Sequence, residues 1–235
     1  MASTRLPGKV LLPLCGRPAL AKLIERARLS RMIDGIVVAT TQSTEDDAIC
    51  ALAVSEGVGC FRGSMDDVMG RVLDAARAAS ADIIVELTGD NPLVDPAIVD
   101  LAVASYLVSG ADYMSNVLER TFPLGLDVQV FSTLTLADAA ARTQDPEDRE
   151  HVSLHIYRNP DRYRIAHFRS FDPRPQSHLR LTLDTAEDLT VIAAIFDALH
   201  PSDPAFGVSA VLDLLERDPA IARANAGVSH RWVMR

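Results

Sequence analysis

Short runs of β-branched residues that alternate with helical segments limit most strongly what this chain can fold into. Residues 35–40 and 82–88 are two such runs, each bounded by turn-forming or polar residues, which is typical of buried strands. Apolar residues recur at helical spacing in three segments, residues 18–31, 46–56 and 65–79. Strands that alternate with helices build doubly wound sheets. We therefore predict an α/β fold with a mostly parallel sheet, whose ligands bind beyond the carboxyl ends of the strands.

After residue 111 the pattern of elements becomes less regular. A short strand is predicted before this change, at residues 58–61, and further strands at residues 112–116, 126–131, 163–170 and 179–183. Helices are predicted at residues 133–142, 186–199, 208–217 and 219–224. With 235 residues, the chain has the length of one large α/β domain, and it shows no internal repeat. We therefore predict a single domain over residues 1–235.

The charge and the apolar pattern argue against several classes of partner. The formal net charge of −9 disfavours broad binding of nucleic acid or of an anionic membrane, because both require a basic surface. No apolar run approaches the roughly 18 residues of a membrane span, and no signal-peptide pattern is found. The three cysteines, Cys15, Cys50 and Cys60, are scattered, so we predict reduced thiols in a cytoplasmic protein.

The first nine residues concentrate groups that bind a polyphosphate. They contain the hydroxyl of Ser3, the guanidinium of Arg5 and the ammonium of Lys9, while Pro7 and Gly8 shape the backbone between them. Arginine offers a planar set of donors, lysine a mobile point charge, and glycine lets backbone N–H groups approach oxygen closely. An exposed basic segment is the alternative interpretation. The loop of P-loop kinases and the full glycine pattern of NAD enzymes are both missing, which disfavours these classes.

Two aspartates follow predicted strands, at the edge where a doubly wound sheet binds ligands. Asp90 follows the strand at residues 82–88, and Asp184 follows the strand at residues 179–183. Each alone is more often a turn or helix cap than a metal ligand. Together, however, they are able to share a hard cation such as Mg²⁺ with a triphosphate. Glu187 and Asp188 are interpreted as favourable charges at the N-terminus of the next helix.

An ordered set of short motifs runs through nearly the whole chain. The motifs are Ser3-x-Arg5-Leu-Pro-Gly-Lys9, Gly16-x-Pro18, Val38-Ala-Thr40, Phe61-Arg-Gly-Ser64, Asp67-Val68, Arg71, Leu87-Thr-Gly-Asp-Asn-Pro-Leu93, Asp112-Tyr113, Pro123-x-Gly125-x-Asp127, Arg149-Glu-His151 and Leu181-Thr-Leu-Asp184. This set resembles the cytidylyltransferase family, which includes the acylneuraminate and 3-deoxy-manno-octulosonate cytidylyltransferases. It is most similar to the SpsF-like branch of spore coat polysaccharide biosynthesis. The set in this order is far more specific than any one of its members.

The resemblance implies the fold, the reaction and the cofactor. Members of the family have a Rossmann-type nucleotide-diphospho-sugar transferase fold and convert CTP and a sugar acid to a CMP-sugar and pyrophosphate. By this resemblance, Asp90 and Asp184 hold Mg²⁺ and act as catalytic residues together with Arg5 and Lys9. A covalent nucleophile is not needed, because positioning and electrostatics supply most of the catalysis.

The resemblance also assigns two sets of binding residues. The nucleotide-binding set is Ser3, Arg5, Pro7, Gly8, Lys9, Thr40, Arg62, Ser64, Arg71 and Asp90. The acceptor-binding set is Asn116, Arg120, Gly125, Asp127 and His151. Arg120 is the natural cation for an acidic acceptor. Residues 112–180 contain this acceptor side together with the arm through which relatives dimerise, so a homodimer is expected.

Structural interpretations of some of these residues stay open. Thr40 begins a polar loop in which Thr44 is a candidate cap for the next helix. Arg71 has the spacing of an ion pair with Asp67 on one helix face. His151 is one of a histidine pair in a polar segment, where a structural or substrate-binding role competes with that of a general base.

One departure from the family pattern concerns the start of the sequence. Relatives usually begin with an apolar strand that ends in Ala-Arg, directly before the segment that matches residues 1–3, and this sequence has neither. We therefore expect that Met1 is an internal methionine and that the first strand of the sheet is truncated here.

Two other functions stay open beside CMP transfer to a sugar acid. The first is the same reaction with a phosphonate or a phosphorylated small molecule as the acceptor. The second is a nucleotide-binding protein whose catalysis is impaired by the missing strand and arginine. A sugar transferase is disfavoured, because such enzymes usually carry an Asp-x-Asp metal motif, whereas residues 88–90 supply a single carboxylate.

Overall fold

Most of the predicted elements are found in the computed structural model, which describes residues 5–229. The strands are β1 (Pro13–Leu14), β2 (Arg17–Pro18), β3 (Val37–Thr41), β4 (Gly59–Gly63), β5 (Ile83–Glu86), β6 (Tyr113–Ser115), β7 (Gln129–Ser132) and β8 (Ile165–His167). The helices are α1 (Ala19–Ala27), α2 (Asp47–Ser55), α3 (Val68–Ala78), α4 (Pro96–Ser109), α5 (Thr133–Arg142), α6 (Pro146–Glu150), α7 (Leu154–Arg158), α8 (Ala186–Leu199), α9 (Val208–Arg217) and α10 (Pro219–Arg223). In this part of the chain, no helix has the length and apolar character needed to cross a membrane.

Four strands lie side by side in the order β5, β7, β6, β8. β7 is antiparallel to both of its neighbours and β6 is parallel to β8, so β5, β6 and β8 run in one direction. β3 and β4 form a separate parallel pair, in which Val37 lies opposite Gly59 and Thr41 lies opposite Gly63. β1 and β2 form a short hairpin. The prediction of an α/β fold with a mostly parallel sheet is confirmed.

Helices cover both faces of the four-stranded sheet. Ile83 and Val85 of β5 pack in an apolar cluster with residues of α4, α8 and α9. Ile84, which lies between them, packs on the opposite face with residues of α3, α5 and α7. Because successive side chains of a strand point to opposite faces, a strand that is covered on both sides needs apolar residues at consecutive positions. Residues 83–85 are such a run, so the sequence indicates β5 clearly.

Two helix caps fix the segments that carry the candidate aspartates. α4 begins after Asp95, whose side chain accepts a hydrogen bond from the N–H of Ala97. α8 begins after Thr185, whose side chain accepts from the N–H of Asp188. The Asp188 carboxylate accepts from the N–H of Thr185 in return, which completes a capping box. Asp188 thus lies in the first turn of the helix, where the sequence placed it.

The predicted strand at residues 179–183 is wrong, and the strand predicted at residues 126–131 begins later, as β7. Residues 179–183 make an isolated bridge in which Arg180 lies opposite Leu124. The neighbouring Gly125 has a φ of 103°, and a Cβ there would overlap the carbonyl group of Leu181. The two segments therefore pair in parallel at a single residue beside a glycine, and this pairing is too short to form a strand, which a pattern of apolar residues does not reveal.

The prediction of three reduced cysteines is also wrong, because Cys50 and Cys60 form a disulfide between α2 and β4. α2 packs against β4 and brings the two Cα atoms to 5.7 Å, a tertiary contact that the scattered spacing did not indicate. Cys15 is the free thiol of the described residues, and it donates to Asp197 over 3.2 Å.

Leu136 and Leu134 of α5 offer a matched test of the core beside α3. Leu136 is 0% exposed, whereas Leu134 is 81% exposed. We expect Leu136→Ala to lower the free energy of unfolding by about 2 to 5 kcal/mol, because it leaves a cavity. Leu134→Ala should change this free energy by less than about 0.5 kcal/mol. Urea denaturation followed by circular dichroism measures both variants, and equal losses would contradict the packing.

Candidate active site

Lys9 joins the two candidate aspartates. Its Nζ lies 2.7 Å from Oδ2 of Asp90 and 2.7 Å from Oδ1 of Asp184. Gly8 makes this approach possible, because its φ of 67° turns the backbone directly before the 3₁₀ helix Lys9–Leu11. The structure therefore brings together three residues that lie in distant parts of the sequence.

The backbone also holds the two aspartate segments together. The N–H of Leu183 donates to the carbonyl oxygen of Asp90 over 2.8 Å. The side chain of Asn91 donates to the Thr88 hydroxyl over 2.8 Å, which fixes the turn that follows β5. The aspartates thus converge because of backbone pairing as well as charge.

Asp184 is surrounded by cations. Its Oδ2 lies 3.0 Å from Nη2 of Arg5 and 2.9 Å from Nη2 of Arg180, in addition to the contact with Lys9. Burial alone would raise the pKa of the Asp184 carboxyl, but the hydrogen bonds from Lys9 and Arg180 outweigh it and hold the pKa below its usual value. Burial alone would lower the pKa of the Lys9 ammonium, yet Asp90 and Asp184 keep this pKa above its ordinary value. The Lys9 ammonium and the Asp184 carboxylate are therefore both charged at neutral pH.

Arg180 is a member of the site that the sequence analysis missed. Its guanidinium binds Asp188 in a two-pronged contact, with Nε 2.8 Å from Oδ1 and Nη2 2.9 Å from Oδ2, while the same Nη2 reaches Asp184. Asp188 is 0% exposed and accepts a further hydrogen bond from Asn225. The sequence did contain a signal for this arginine. Arg180, Asp184 and Asp188 follow one another at intervals of four residues, so a cation is spaced regularly from two carboxylates.

The site offers oxygen ligands for a hard cation. The Lys9 ammonium is itself a cation placed between the carboxylates of Asp90 and Asp184, so it marks a position where positive charge is held by oxygen from both. Carboxylates that share a cation with substrate phosphates suit Mg²⁺. Asp90 and Asp184 therefore fit a divalent ion that binds together with a triphosphate.

The residues predicted near the nucleotide base are engaged with one another. The hydroxyl of Thr40 donates to Asp46 over 2.7 Å, and Nε of Arg62 donates to the carbonyl oxygen of Thr41 over 2.9 Å. Arg71 donates to the carbonyl oxygen of Ser64 rather than pairing with Asp67. Ser43 caps the short helix Thr44–Asp46, so Thr44 is not the cap. Arg62 and Arg71 thus hold the loops that follow β3 and β4.

The residues predicted near the acceptor form a second group. Asn116 is 0% exposed and bonds the backbone of Leu126 and Val128 at 2.8 and 2.9 Å. Arg120 lies 2.7 Å from Asp127 in an ion pair. Asn116 therefore holds the backbone on both sides of Asp127, in the loop that begins near Gly125 and contains one member of this ion pair.

His151 lies at the end of a short helix and is engaged through its backbone. His151 ends α6, where its N–H donates to the carbonyl oxygen of Glu147. The neighbouring His155 has Nδ1 at 3.0 Å from Asp148, which favours the structural interpretation for His155. Ser3 lies outside the described residues.

Comparisons with known proteins match this geometry to one family. A family model described as cytidylyltransferase matches residues 1–213. The spore coat polysaccharide biosynthesis protein SpsF of Bacillus subtilis is 36% identical over 228 residues, which cover 94% of this chain and 93% of that protein. A 3-deoxy-manno-octulosonate cytidylyltransferase of Solibacter usitatus is 33% identical over 174 residues, 66% of this chain and 67% of that protein. The solved structure of a cytidylyltransferase from Leptospira borgpetersenii has a TM-score of 0.89 and 31% identity, over 99% of this chain and 95% of that chain.

Arg180 should stabilise the fold strongly, because it compensates a buried carboxylate. We expect Arg180→Met to lower the free energy of unfolding by about 3 to 5 kcal/mol, since the buried Asp188 side chain would lose its cationic partner. The exposed Arg223 on α10 is the control, and Arg223→Met should change this free energy by less than about 0.5 kcal/mol. Thermal and urea unfolding of both variants measure the difference. A loss below about 1 kcal/mol for Arg180→Met would show that the contact is not needed.

Proposed function

The chain belongs to the cytidylyltransferase family, and from this premise we propose that it transfers CMP from CTP to a hydroxyl group of a sugar acid, with release of pyrophosphate. The observation that supports this proposal best is the convergence of Lys9, Asp90 and Asp184 at the carboxyl edge of the sheet. In a doubly wound fold this edge is where ligands bind. Two carboxylates that face the same position suit a divalent cation bound together with the phosphates of a nucleotide.

The proposed reaction is a substitution at phosphorus. The acceptor hydroxyl gives its proton to solvent and its oxygen bonds to the α-phosphorus of CTP. The bond from this phosphorus to the oxygen that bridges to the β-phosphate breaks, and pyrophosphate leaves with the electron pair. Lys9 and Arg5 exchange their carboxylate partners for phosphate oxygens and stabilise the charge that develops there. Mg²⁺ held by Asp90 and Asp184 would supply further charge neutralisation at these oxygens. The residues act by position and charge, and none forms a bond to the substrate.

The proposed acceptor is a sugar acid, in line with the resemblance to the 3-deoxy-manno-octulosonate enzyme. An acidic acceptor needs a cation, and Arg120 is the proposed partner, with Asp127 as the carboxylate that it would share. A homodimer through residues 112–180 and a cytoplasmic location are further proposals that rest on the family resemblance. Multi-angle light scattering of the purified protein tests the first of these two.

The reaction is tested by pyrophosphate release from CTP in the presence of Mg²⁺ and a panel of sugar acids. We expect activity with CTP and little with the other nucleoside triphosphates. Asp90→Asn and Asp184→Asn should each lower kcat by at least about 100-fold, because each removes charge that holds the metal-bound triphosphate. Asp74→Asn is the matched control, since Asp74 is 59% exposed on α3, where its partner is Arg77. Full activity of either active-site variant would refute the proposed roles.

A second prediction concerns Lys9 in the absence of nucleotide. Because its ammonium neutralises both carboxylates, we expect Lys9→Met to bind Mn²⁺ without CTP about tenfold or more tightly than the unsubstituted protein. Its turnover should nevertheless fall, since a phosphate ligand is lost. Isothermal titration calorimetry with Mn²⁺ measures the affinity, and Arg28→Met, at an exposed arginine of another segment, is the control. An unchanged or weaker Mn²⁺ affinity in Lys9→Met would contradict this role.

A further inference from the structure

A disulfide lies beside the loops that are assigned to the nucleotide base. It joins Cys50 of α2 to Cys60 of β4. Cys60 comes two residues before Arg62 on β4, and Cys50 comes three residues after Asp47, the first residue of α2. Side chains two apart on a strand share a face, and side chains three apart on a helix are neighbours on one face. The disulfide and the hydrogen bond from Arg62 to Asp47 therefore link the same two elements side by side.

Arg62 organises these loops through three acceptors. Its Nε donates to the carbonyl oxygen of Thr41 over 2.9 Å, and its Nη2 donates to the carbonyl oxygen of Ser43 over 2.5 Å. Its Nη1 donates to the carboxylate of Asp47 at the beginning of α2. The position of α2 on β4 therefore decides where Arg62 holds the loop that follows β3.

Non-covalent contacts hold α2 weakly in this position. Of its nine residues, Ile49 and Ala53 are buried, whereas Val54 is 71% exposed. The side chains of Asp47 and Arg62 are 59% and 33% exposed, and ion pairs that water reaches contribute little to stability. β3 and β4 themselves form a two-stranded pair apart from the four-stranded sheet. The covalent link is thus the strongest constraint on the place of α2 beside the loops.

Small thiols are able to reach this disulfide. Cys50 and Cys60 are both half-buried, and neither belongs to the fully buried core. Exchange requires a thiolate to approach one of the sulfur atoms, so accessible disulfides are the ones that react. In reducing compartments, the disulfides of enzymes are usually transient and serve catalysis or redox sensing. A reactive disulfide beside a ligand site is therefore placed to change how that ligand binds.

We propose that Cys50 and Cys60 form a redox modification site that sets the affinity of the protein for CTP. This inference rests on the proposed function, because the loops beside the disulfide are assigned to the nucleotide base. In the oxidised form, the disulfide holds α2 and Arg62 in place, so the loops are ordered before CTP binds. In the reduced form, CTP has to order them itself, and binding is weaker because ordering costs conformational entropy. The reactant is a low-molecular-weight disulfide or thiol such as glutathione.

The redox step is a pair of thiol–disulfide exchanges. The thiolate of one cysteine attacks a sulfur atom of oxidised glutathione, and one glutathione leaves as its thiolate. The thiolate of the other cysteine then attacks the sulfur of the first cysteine, and the second glutathione leaves. The two cysteines lose two electrons and two protons in total, while oxidised glutathione gains them and becomes two thiols. Reduced glutathione or dithiothreitol drives the same steps in reverse.

The affinity for CTP is compared between the two redox forms of the full chain. One sample is equilibrated with oxidised glutathione and the other with dithiothreitol, and isothermal titration calorimetry measures the Kd for CTP with Mg²⁺ in the absence of an acceptor. We expect the Kd of the reduced form to be about fivefold higher. Thiol titration of the denatured samples checks their state, since the oxidised form has one free thiol, that of Cys15, and the reduced form has three.

Three cysteine variants separate the disulfide from other effects of the reagents. Cys50→Ser and Cys60→Ser each remove it, so both should bind CTP as the reduced protein does, with or without oxidised glutathione. Two variants are used so that the failure of one to fold does not end the test. Cys15→Ser is the matched control, because it removes a thiol outside the pair, and its Kd should respond to reduction as that of the unsubstituted protein does.

The outcomes distinguish the redox site from the proposed function. A CTP Kd that differs by less than about twofold between the two forms overturns the inference and leaves CMP transfer intact. A tighter Kd in the reduced form also overturns it, as does a disulfide that neither glutathione nor dithiothreitol reduces in the folded protein. If neither form binds CTP, the proposed function is overturned and this inference falls with it. A Kd that depends on the redox state in a protein that releases no pyrophosphate supports the redox site and refutes the catalysis.

Discussion

The contact of one ammonium group with two carboxylates is the interaction on which the site depends. Asp90 and Asp184 approach closely because the backbones of their segments pair, and two negative charges at such a distance repel unless a cation lies between them. Lys9 supplies that cation from the beginning of the chain. If Lys9 were removed, the two carboxylates would lose the cation that they share, so the geometry of the site depends on this one side chain.

Asp184 is held by cations from both ends of the chain. Arg180 contacts both Asp184 and the buried Asp188, and Asp188 is in turn held by the cap of α8 and by Asn225. Lys9 and Arg5 approach the same carboxylate from the N-terminal segment. Asp184 therefore has one cationic partner that is anchored in the core and two that come from the surface of the fold.

Much of this organisation could be predicted from the sequence, because its causes are local. The apolar run of β5, the helix cap at Thr185 and the turn at Gly8 each follow from a few neighbouring residues. What could not be predicted depends on pairs that meet only after folding. The disulfide of Cys50, the close approach at Gly125 and the pairing of Arg180 with Asp188 are of this kind. A strand was also predicted where two segments pair at a single residue, because extended backbone and a paired strand have the same apolar pattern.

The two parts of the candidate site both consist of charged groups that are paired within the described protein. Around Asp184, Arg5, Lys9 and Arg180 each lie at hydrogen-bond distance from a carboxylate oxygen. Arg120 and Asp127 make a corresponding pair, 2.7 Å apart, in the loop whose backbone Asn116 holds. A ligand that contacts one of these cations must replace an ion pair that already exists, so the charge of the ligand decides whether the exchange is favourable.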